Sequence, residues 1–359
     1  MLSRENAFAR MAARLLTTDG PEQEQLFASA RKIRDTHVGA KLELRAVIDL
    51  SNKCRVNCKF CPMRRDNSRD LKTTRITTDE ATSAAILAYE QEFQHLFLQS
   101  GEETRIIPIV LETLQNIKAK GLDMHVILNL GNHSLETYKA LLAAGGHGYL
   151  IKHETANAAL HLALREETLE RRVAHMLLAR QAGFYIGSGN IAGLPGQTDH
   201  DLARDLIFLG RIGSARMASC APFTPSESLP VGFQEPRPGT FEKTLRFIAL
   251  LRHCFPNARI PATSNLDSPH LMRPAALAKS GQAMALDAGA NGITVQFTPD
   301  RVEDSYALYE RGSDKRQHGY LVGLEKAKTA AQQAGLALGL SSQASFATSD
   351  LEVEHGYRA

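Results

Sequence analysis

Three cysteines within eight residues, Cys54, Cys58 and Cys61, constrain this chain more than any other feature of its sequence. They follow an apolar run, residues 44–50, whose composition predicts a β-strand. Thiolates crowded into one loop indicate a metal site. A structural zinc site would need a second Cys or His pair at a short offset, and nothing downstream of Cys61 supplies one. The spacing CxxxCxxC favours an iron–sulfur cluster instead, because three ligands leave the fourth iron of a 4Fe-4S cube open to bind another molecule.

Composition and charge describe an ordinary globular chain. Of 359 residues 43% are hydrophobic and 23% charged, which is enough apolar material for one large core. The net charge of +3 forms no basic block, so the sequence implies no nucleic-acid partner. We find no apolar stretch of the roughly 18 residues that a membrane span needs. Because three of only five cysteines are crowded in one loop, we expect a reducing compartment, the cytoplasm, and no disulfide framework.

Downstream of the cysteine loop, short apolar segments alternate with amphipathic ones, and this rhythm predicts a parallel α/β sheet. The candidate strands are residues 44–50, 95–99, 124–128, 148–151, 185–190, 217–221, 259–261 and 292–297. The candidate helices are residues 78–93, 106–120, 134–144, 168–182, 198–211, 239–253, 273–288 and 320–334. Eight such units predict a (β/α)8 barrel of the TIM type. We divide the chain into an N-terminal helical cap (1–40), the barrel (41–340) and a polar tail (341–359).

In such barrels the chemistry lies in the loops that follow the strands. The second strand ends in Ser100, Gly101 and Glu102, where a glycine lets the backbone approach a ligand and a carboxylate can meet a cation. The fourth strand leads into a polar run with Lys152 and Glu154, which suggests a ligand more than packing. The fifth strand is rich in glycine, and we place a flat group against it. Its candidate contacts are Gly189 and Gly193.

Six strings carry a family resemblance: SNKCRVNCKFCPMRRDN, FLQSGEE, YLIKHETAN, AGLPGQT, PFTPSESLP and IPATS. In order and spacing they resemble the radical S-adenosylmethionine (SAM) enzymes of the group that holds the FeFe-hydrogenase maturase HydE, biotin synthase and methylornithine synthase. The resemblance covers about residues 30–300. It implies that an electron from the cluster splits SAM into methionine and a 5′-deoxyadenosyl radical. The electron would come from a reductant such as flavodoxin or ferredoxin.

The resemblance also implies roles for individual residues. Cys54, Cys58 and Cys61 would ligate the cluster, and Phe60 is the aromatic residue that precedes the last cysteine of the motif. The implied SAM contacts are Ser100, Gly101, Glu102, Glu154, Arg172, Gly189 and Gly193. A small-molecule substrate would lie beyond SAM, near Lys152, Thr263, Ser264, Thr294 and Gln296. No further catalytic residue is expected, since a carbon radical needs no general base at the outset.

Departures from the family pattern bear on the substrate. Outside the motif only Cys220 and Cys254 remain, too few for the second cluster of biotin synthase, so biotin synthesis is not expected. The eighth strand, with Thr294 and Gln296, also differs from the apolar and aromatic string of HydE-like chains. Lys152 and Arg301, expected near the barrel mouth, favour an anionic substrate such as an amino acid. The sequence therefore predicts a radical SAM enzyme, a lyase or transferase, acting on a small carboxylated molecule.

Three alternatives remain open at this point. The first is a true HydE-type maturase of FeFe-hydrogenase, and the second is a cluster-bearing scaffold without radical chemistry. The scaffold is disfavoured because it has no need of Gly101 and Glu154. The third, a zinc-dependent hydrolase, lacks placed His or Asp ligands.

Overall fold

A computed structural model of the chain describes residues 2–69, 72–214, 216–274, 277–303 and 319–339. Its sheet is parallel throughout, with the order β6-β5-β4-β3-β2-β1-β7, and a short strand β8 pairs with β1 on a separate branch. The strands are β1 (Lys41–Ser51), β2 (His95–Ser100), β3 (His125–Asn129), β4 (Gly148–Leu150), β5 (Tyr185–Ala192), β6 (Ala218–Pro222), β7 (Gly292–Gln296) and β8 (Ala337–Gly339).

The seven strands β1 to β7 curl into a barrel wall, which confirms the predicted fold class. Where a further strand was predicted at residues 259–261, the structure has two single bridges in place of a ladder. Arg259 bridges to Met217 beside β6, and Pro261 bridges to Gly292 at the start of β7. Proline has no N–H to donate, so this segment cannot extend its pairing. Strand β8 was not predicted, and the predicted tail at 341–359 lies outside the described residues.

Helices cover the outer face of the wall and mostly follow the predicted segments. They are α1 (Leu2–Leu15), α2 (Gly20–His37), α3 (Thr78–Glu90), α4 (Ile107–Ala119), α5 (Leu135–Ala144), α6 (Ala158–Arg165), α7 (Leu169–Ala182), α8 (Asp199–Arg211), α9 (Thr240–Cys254), α10 (Gly281–Asp287), α11 (Asp300–Glu303) and α12 (Tyr320–Gln333). Side-chain caps define several starts, as where Thr77 and Glu80 form a capping box on α3. α10 begins later than predicted, at the cap Ser280, because Pro274 interrupts the segment before it.

The alternation of side chains along β1 sorts the core into two regions. Leu44, Ala46 and Ile48 face the helices and join the main apolar core. Arg45, Val47 and Asp49 lie on the opposite face of the strand, which is the barrel interior. They pair in register with His95, Phe97 and Gln99 of β2. A small apolar cluster crosses this interior: Val47, Phe97, Ile127 and Met217, with Leu150 and Tyr185 packed against it.

The two N-terminal helices contact the wall from outside, α1 against α8 and α2 against α9. Buried Arg34 of α2 donates to the carbonyl of Leu286 at 2.6 Å, tying this region to α10. Among the described helices, none combines the length and the apolar character that a membrane crossing requires.

Candidate active site

One cavity of about 350 Å³ opens at the C-terminal ends of the strands, where the loops after β1, β2, β4 and β6 converge. It brings together most of the residues singled out from the sequence. Those that line it are Cys54, Cys58, Phe60, Cys61, Ser100, Gly101, Glu102, Lys152, Glu154, Arg172, Thr263, Ser264 and Thr294. Thr294 is exposed although its neighbours in β7 are buried, because its side chain faces this open interior.

The cysteine loop is held by contacts with the loop after β2. The sulfur of Cys54 accepts hydrogen bonds from the backbone N–H of Val56 at 3.4 Å and of Glu102 at 3.3 Å. A Cβ on Gly101 would lie only 2.2 Å from the carbonyl oxygen of Lys53. The two loops therefore touch backbone to backbone, and only glycine allows this approach.

Of the three cysteines, Cys58 is buried and Cys54 and Cys61 are partly buried. Burial raises the pKa of Cys58 to about 11, an effect that the guanidinium of Arg165 partly opposes. Burial also raises the pKa of Cys61, and its neighbours Cys58 and Cys54 add to the shift. A thiol in this state becomes a thiolate when a metal binds and releases the proton.

The thiols do not converge on one point. Within the described part of the chain, no three His, Cys, Asp or Glu side chains are grouped as the ligands of a single ion. The three thiols nevertheless line the same cavity. A cube of four irons takes its thiolates at separate corners, so this donor set fits a multinuclear cluster.

Glu102 lies at the centre of a polar network beside the cysteine loop. Its carboxylate accepts from Arg55 Nε at 3.1 Å and from the backbone N–H of Asn132 at 2.9 Å. Arg172 donates to Asn132 Oδ1 at 2.7 Å and to the carbonyl of Lys152 at 2.9 Å. Gly131 makes room for this carboxylate, since a Cβ there would meet Glu102 Cγ at 2.3 Å. The network ties the ends of β2, β3 and β4 into one rigid wall of the cavity.

Glu154 follows β4 in a conformation that is rare for a residue with a side chain, with φ at 63°. Its backbone N–H donates to the carbonyl of Gly189 at 3.1 Å, and its carbonyl accepts from Ile191 at 3.0 Å. The carboxylate forms an ion pair with Lys152 at 3.0 Å. Although burial acts to raise the pKa of Glu154, the cations Lys152 and Arg165 outweigh it and lower that pKa. The carboxylate is thus held ionised and aimed by a strained backbone.

A buried polar cluster supports that backbone from below. Asp205 of α8 accepts from the N–H of Ala156 at 2.6 Å and from Asn190 Nδ2 at 2.8 Å. His153 lies 3.6 Å from Asp205 and bonds Ser188 Oγ at 3.0 Å. These contacts fix the segments on both sides of Glu154.

Aromatic and aliphatic side chains close one side of the cavity. Phe60 packs against a buried cluster that includes Leu164, Ile191 and Phe223. The cysteine loop is pinned to this cluster because Lys59 N–H donates to the carbonyl of Leu164 at 2.8 Å.

Four residues singled out from the sequence lie elsewhere. Gly189 allows β5 to pair closely with β6, since a Cβ would meet Ser219 Oγ at 2.0 Å. Gly193 makes room for Thr240 at the start of α9. Gln296 donates to buried Asp49. Arg301 does not lie at the mouth of the cavity as expected: it forms an ion pair with Glu80 at 2.6 Å, so it adds no free cation there.

Other residues of the site were not anticipated. Arg165, the last residue of α6, is buried beside Cys58 and lines the cavity. Although burial lowers the pKa of this guanidinium, its neighbours Cys58, Glu154 and Glu167 outweigh burial and raise it. Arg45 lines the cavity from its strand. The sequence signal that would have pointed to Arg45 is a cation within the run 44–50, whose other residues are apolar except Asp49.

The geometry agrees with what comparisons with known proteins show. A family model described as the radical SAM superfamily matches residues 48–209. The [FeFe] hydrogenase maturase subunit HydE of Thermotoga maritima is 36% identical to this chain over 288 residues, which are 80% of this chain and 79% of that protein. The chain belongs to the radical SAM superfamily, in the group of HydE. This confirms the predicted family, the enzyme class and the two cofactors, a 4Fe-4S cluster and SAM.

Two further relatives of this radical SAM enzyme show how far the likeness extends. The 3-methylornithine synthase of Methanosarcina barkeri is 25% identical and covers 82% of this chain and 80% of its own length. The crystal structure of methylornithine synthase PylB superimposes with a TM-score of 0.78 at 22% identity, over 92% of this chain and 94% of that one. The second comparison demonstrates a shared fold.

The cavity offers what both cofactors of a radical SAM enzyme require. Three thiols at the spacing of the superfamily line it, and the carboxylates of Glu102 and Glu154 and the buried guanidinium groups of Arg165 and Arg172 stand beside them. When bound, the cofactors supply a primary carbon radical that abstracts hydrogen from an unactivated C–H bond. The chain's own part is to bind, to orient and to keep water out, and Glu102, Glu154 and Phe60 all line this cavity.

Proposed function

We propose that this radical SAM enzyme acts on a small carboxylated molecule, and that Arg45 receives the carboxylate. The supporting observation is the state of the Arg45 guanidinium. It is 1% exposed and lines the cavity, yet its Nη2 has no hydrogen-bond partner among the described residues. A buried donor without a partner is costly, so a ligand that accepts from it gains strongly.

An anion can approach the guanidinium of Arg45 from one side only. Its Nε is occupied by Glu43 at 2.5 Å, and its guanidinium lies 5.8 Å from the centre of the Phe97 ring. Thr294 is its neighbour across the ladder. Thr263 Oγ1 is buried in the cavity and has no hydrogen-bond partner among the residues that the structure describes. The hydroxyls of Thr294 and Thr263 and Nη2 of Arg45 can each donate a hydrogen bond to a carboxylate oxygen.

We assign the cofactors to the other end of the cavity. Cys54, Cys58 and Cys61 hold the cluster, and Phe60 shields it. SAM lies against Ser100, Gly101, Glu102, Glu154 and Arg172. Lys152 joins the two regions, because it pairs with Glu154 and lines the same cavity. We place Gly189, Gly193 and Gln296 in supporting positions outside it. The reductant is an electron carrier such as flavodoxin or ferredoxin, and we place the reaction in the cytoplasm.

The first test asks whether the radical is made. The protein is reconstituted anaerobically with iron and sulfide, reduced with dithionite and mixed with SAM, and 5′-deoxyadenosine and methionine are measured by chromatography. We expect 5′-deoxyadenosine from the wild type and none from Cys58→Ala. A loaded cluster that binds SAM and never cleaves it, even with candidate substrates, supports the scaffold interpretation.

The second test addresses the substrate. Amino acids and other small carboxylates are compared with their neutral amides as stimulants of SAM cleavage. We expect stimulation by a carboxylate and not by its amide, and Arg45→Met should raise the concentration needed by at least about tenfold. Arg45→Lys, which keeps the charge, should lose less. Equal response to acid and amide in the wild type would remove the role of Arg45.

A second candidate is the function of the HydE relative itself. The identity of 36% over most of both chains favours it. It predicts that this chain restores activity to an FeFe-hydrogenase maturation system that lacks its own HydE protein. Failure to do so in a system that the Thermotoga maritima protein does restore would leave the carboxylate substrate as the better assignment.

A further inference from the structure

Arg165, the last residue of α6, is a buried cation in the wall of the cavity. It is 6% exposed, and its Nη2 lies 3.4 Å from Glu167. Its Nε is buried and has no hydrogen-bond partner among the residues that the structure describes. The Nε atoms of Arg64 and Arg180 share this state, but neither of those residues lines the cavity. A buried donor without a partner is costly, so in the wall of a cavity it indicates a ligand that accepts from it.

The turn between α6 and α7 holds Arg165 against the cysteine loop. The carbonyl of Leu164 accepts from the N–H of Lys59 at 2.8 Å. On the other side of Arg165, the carboxylate of Glu166 accepts from Asn57 Nδ2 at 3.2 Å. Because both chain neighbours of Arg165 are bonded to the cysteine loop, its guanidinium is fixed at the end of the cavity where the thiols lie.

The carboxylates around Arg165 are engaged with other cations. Their ion pairs are Glu154 with Lys152 at 3.0 Å, Glu102 with Arg55 at 3.1 Å and Glu167 with Arg171 at 3.7 Å. Arg165 therefore shares Glu167 with a second cation. Its charge is incompletely balanced by the described side chains, and an anionic ligand would balance it.

A second buried guanidinium, that of Arg172, lines the same cavity. Its Nε donates to the carbonyl of Lys152 at 2.9 Å, and its Nη1 donates to Asn132 Oδ1 at 2.7 Å. Burial lowers the pKa of Arg172, and the positive charge of Arg165 lowers that pKa further. The two cations therefore repel each other, and an anion bound in the cavity would stabilise both. Because two nitrogens of Arg172 already bind protein groups, Nε of Arg165 offers this anion an unpartnered donor.

We propose that Arg165 binds the methionyl carboxylate of SAM through its Nε. SAM also carries an ammonium and a sulfonium, so the carboxylate is the group of SAM that a guanidinium attracts. Charge-assisted hydrogen bonds of this kind are among the strongest in proteins. Because Arg165 lies at the thiol end of the cavity, the bond orients the methionyl end of SAM towards the cluster. The inference rests on the proposed assignment of SAM to this cavity, and it adds a residue that lies outside the six strings of the family resemblance.

Two ligands and two variants test this bond. The ligands are SAM and decarboxylated SAM, which keeps the amine, the sulfonium and the adenosine and lacks the carboxylate. The variants are Arg165→Met and a control, Arg171→Met. Arg171 lies 3.7 Å from the same Glu167 carboxylate, but its side chain is 70% exposed and it does not line the cavity. Both substitutions remove a cation from Glu167, and only the first removes one from the cavity wall.

Dissociation constants are measured by equilibrium dialysis with radiolabelled ligands. The proteins carry the reconstituted cluster, and no reductant is added, so SAM is not cleaved. Binding is expressed per cluster, from iron and sulfide analysis, so that a lower cluster content does not alter the dissociation constant. Arg165→Gln, which keeps an N–H donor without the charge, takes the place of Arg165→Met if that variant does not retain the cluster.

We expect Arg165→Met to bind SAM at least about tenfold more weakly than the wild type and decarboxylated SAM within about twofold, because a charge-assisted hydrogen bond is lost with the first ligand alone. The preference of the wild type for SAM over its decarboxylated form should therefore shrink in the variant. Arg171→Met should bind both ligands as the wild type does. A residue that only supports the cysteine loop would not change the preference between the two ligands.

Two results would overturn the role of Arg165. One is unchanged SAM binding by Arg165→Met, and the other is an equal weakening of both ligands, which would show that Arg165 acts through the cysteine loop or the cluster. Absence of SAM binding by the wild type would overturn this role together with the assignment of SAM. No substrate is present in the measurement, so the proposed carboxylate site at Arg45 can fail its own test while the result for Arg165 stands.

Discussion

Gly101 is the point at which the loops after β1 and β2 come closest. An added Cβ would stand 2.2 Å from Lys53 O and 3.0 Å from Cys54 Cβ, so the cysteine loop must move to admit it. Gly101→Ala should therefore lower the iron bound after reconstitution severalfold while the far-UV circular dichroism is unchanged. Iron and sulfide analysis checks this.

A matched control for that substitution is Gly210→Ala in α8. There the nearest atoms to an added Cβ are those of the Phe255 ring at 4.0 Å, so the methyl group meets no close contact. Iron content should equal that of the wild type, and the helix should gain about 1 kcal/mol from the better helix former. If the two variants bind iron equally, the contact of Gly101 with Lys53 does not control the cysteine loop.

Arg165 places a permanent positive charge beside Cys58. Because reduction adds a negative charge to a cluster in this loop, a nearby guanidinium favours the reduced state. Arg165→Met should shift the midpoint potential to more negative values by about 50–100 mV, the equivalent of about 1–2 kcal/mol for one electron. Arg165→Lys should retain most of the wild-type potential. Redox titration followed by electron paramagnetic resonance measures the shift, and identical potentials in all three proteins would exclude the electrostatic role.

At the scale of elements, helix α8 supports the cavity although none of its own residues lines it. Its buried Asp205 accepts from Ala156 and from Asn190, the residues that bracket the strained Glu154 in space. Asp205→Asn keeps the shape and removes one accepting oxygen, leaving a buried donor without its partner at a cost of about 1–3 kcal/mol. We expect SAM to bind about five- to tenfold more weakly, with unchanged iron content.

The control for Asp205 lies on the same helix. Asp199 pairs with Lys243 at 2.6 Å near the surface and does not touch the segment of Glu154. Asp199→Asn should leave the SAM dissociation constant within about twofold of the wild type, as is usual for exposed ion pairs. The measurement is equilibrium binding of SAM by the reconstituted proteins. If SAM binding weakened equally in both variants, the cause would be general destabilisation of α8.

At the scale of the whole molecule, the end of the barrel at which the strands begin holds buried ionisable groups. His125 Nε2 lies 2.8 Å from Tyr185 OH, and Arg259 lies 3.3 Å from Glu43. Burial lowers the pKa of His95 to about 4, although Glu43 opposes the shift, and it lowers the pKa of His125 to about 2. Both rings are neutral in the folded protein at the pH of ordinary work.

These shifts set the acid stability of the fold. An unfolded histidine takes up a proton near pH 6.5, whereas the buried rings remain neutral until about pH 4 or below. Above pH 6.5 each ring is neutral in both the folded and the unfolded protein, so its burial does not lower the free energy of unfolding. That free energy decreases progressively as pH falls from about 6.5 towards 4. At pH 5 the loss is about 2 kcal/mol for each ring.

Urea unfolding at several pH values tests this expectation. The urea concentration at the midpoint of unfolding should be lower at pH 5.0 than at pH 7.5. In the double variant His95→Gln, His125→Gln this decrease should be smaller. Glu43 acts in a different window, because cationic neighbours overcome burial and lower its pKa to about 2, so its contribution is lost only below about pH 4.5. An equal pH dependence in wild type and double variant would show that these rings do not control acid unfolding.

The sequence by itself determined the fold class, the cysteine motif and the family. These are local properties: strand and helix periodicity span a few residues, and three thiols lie within one loop. The strand ends carrying Gly101 and Glu154 were also predictable, because the carboxyl ends of parallel strands meet at one edge. The bridged segment at 259–261 shows the limit of periodicity, since its proline leaves it without a regular ladder.

Tertiary structure decided which side chains point into the cavity and which are paired with other residues of the chain. Gln296 is paired with Asp49, 247 positions away, and Arg301 with Glu80, 221 positions away. Neither side chain therefore remains available to contact a substrate, as the sequence had suggested. The same folding leaves Nη2 of Arg45 without a hydrogen-bond partner in the part of the chain that the structure describes. Pairing between distant residues follows from how strands and helices pack against one another, and no local pattern records it.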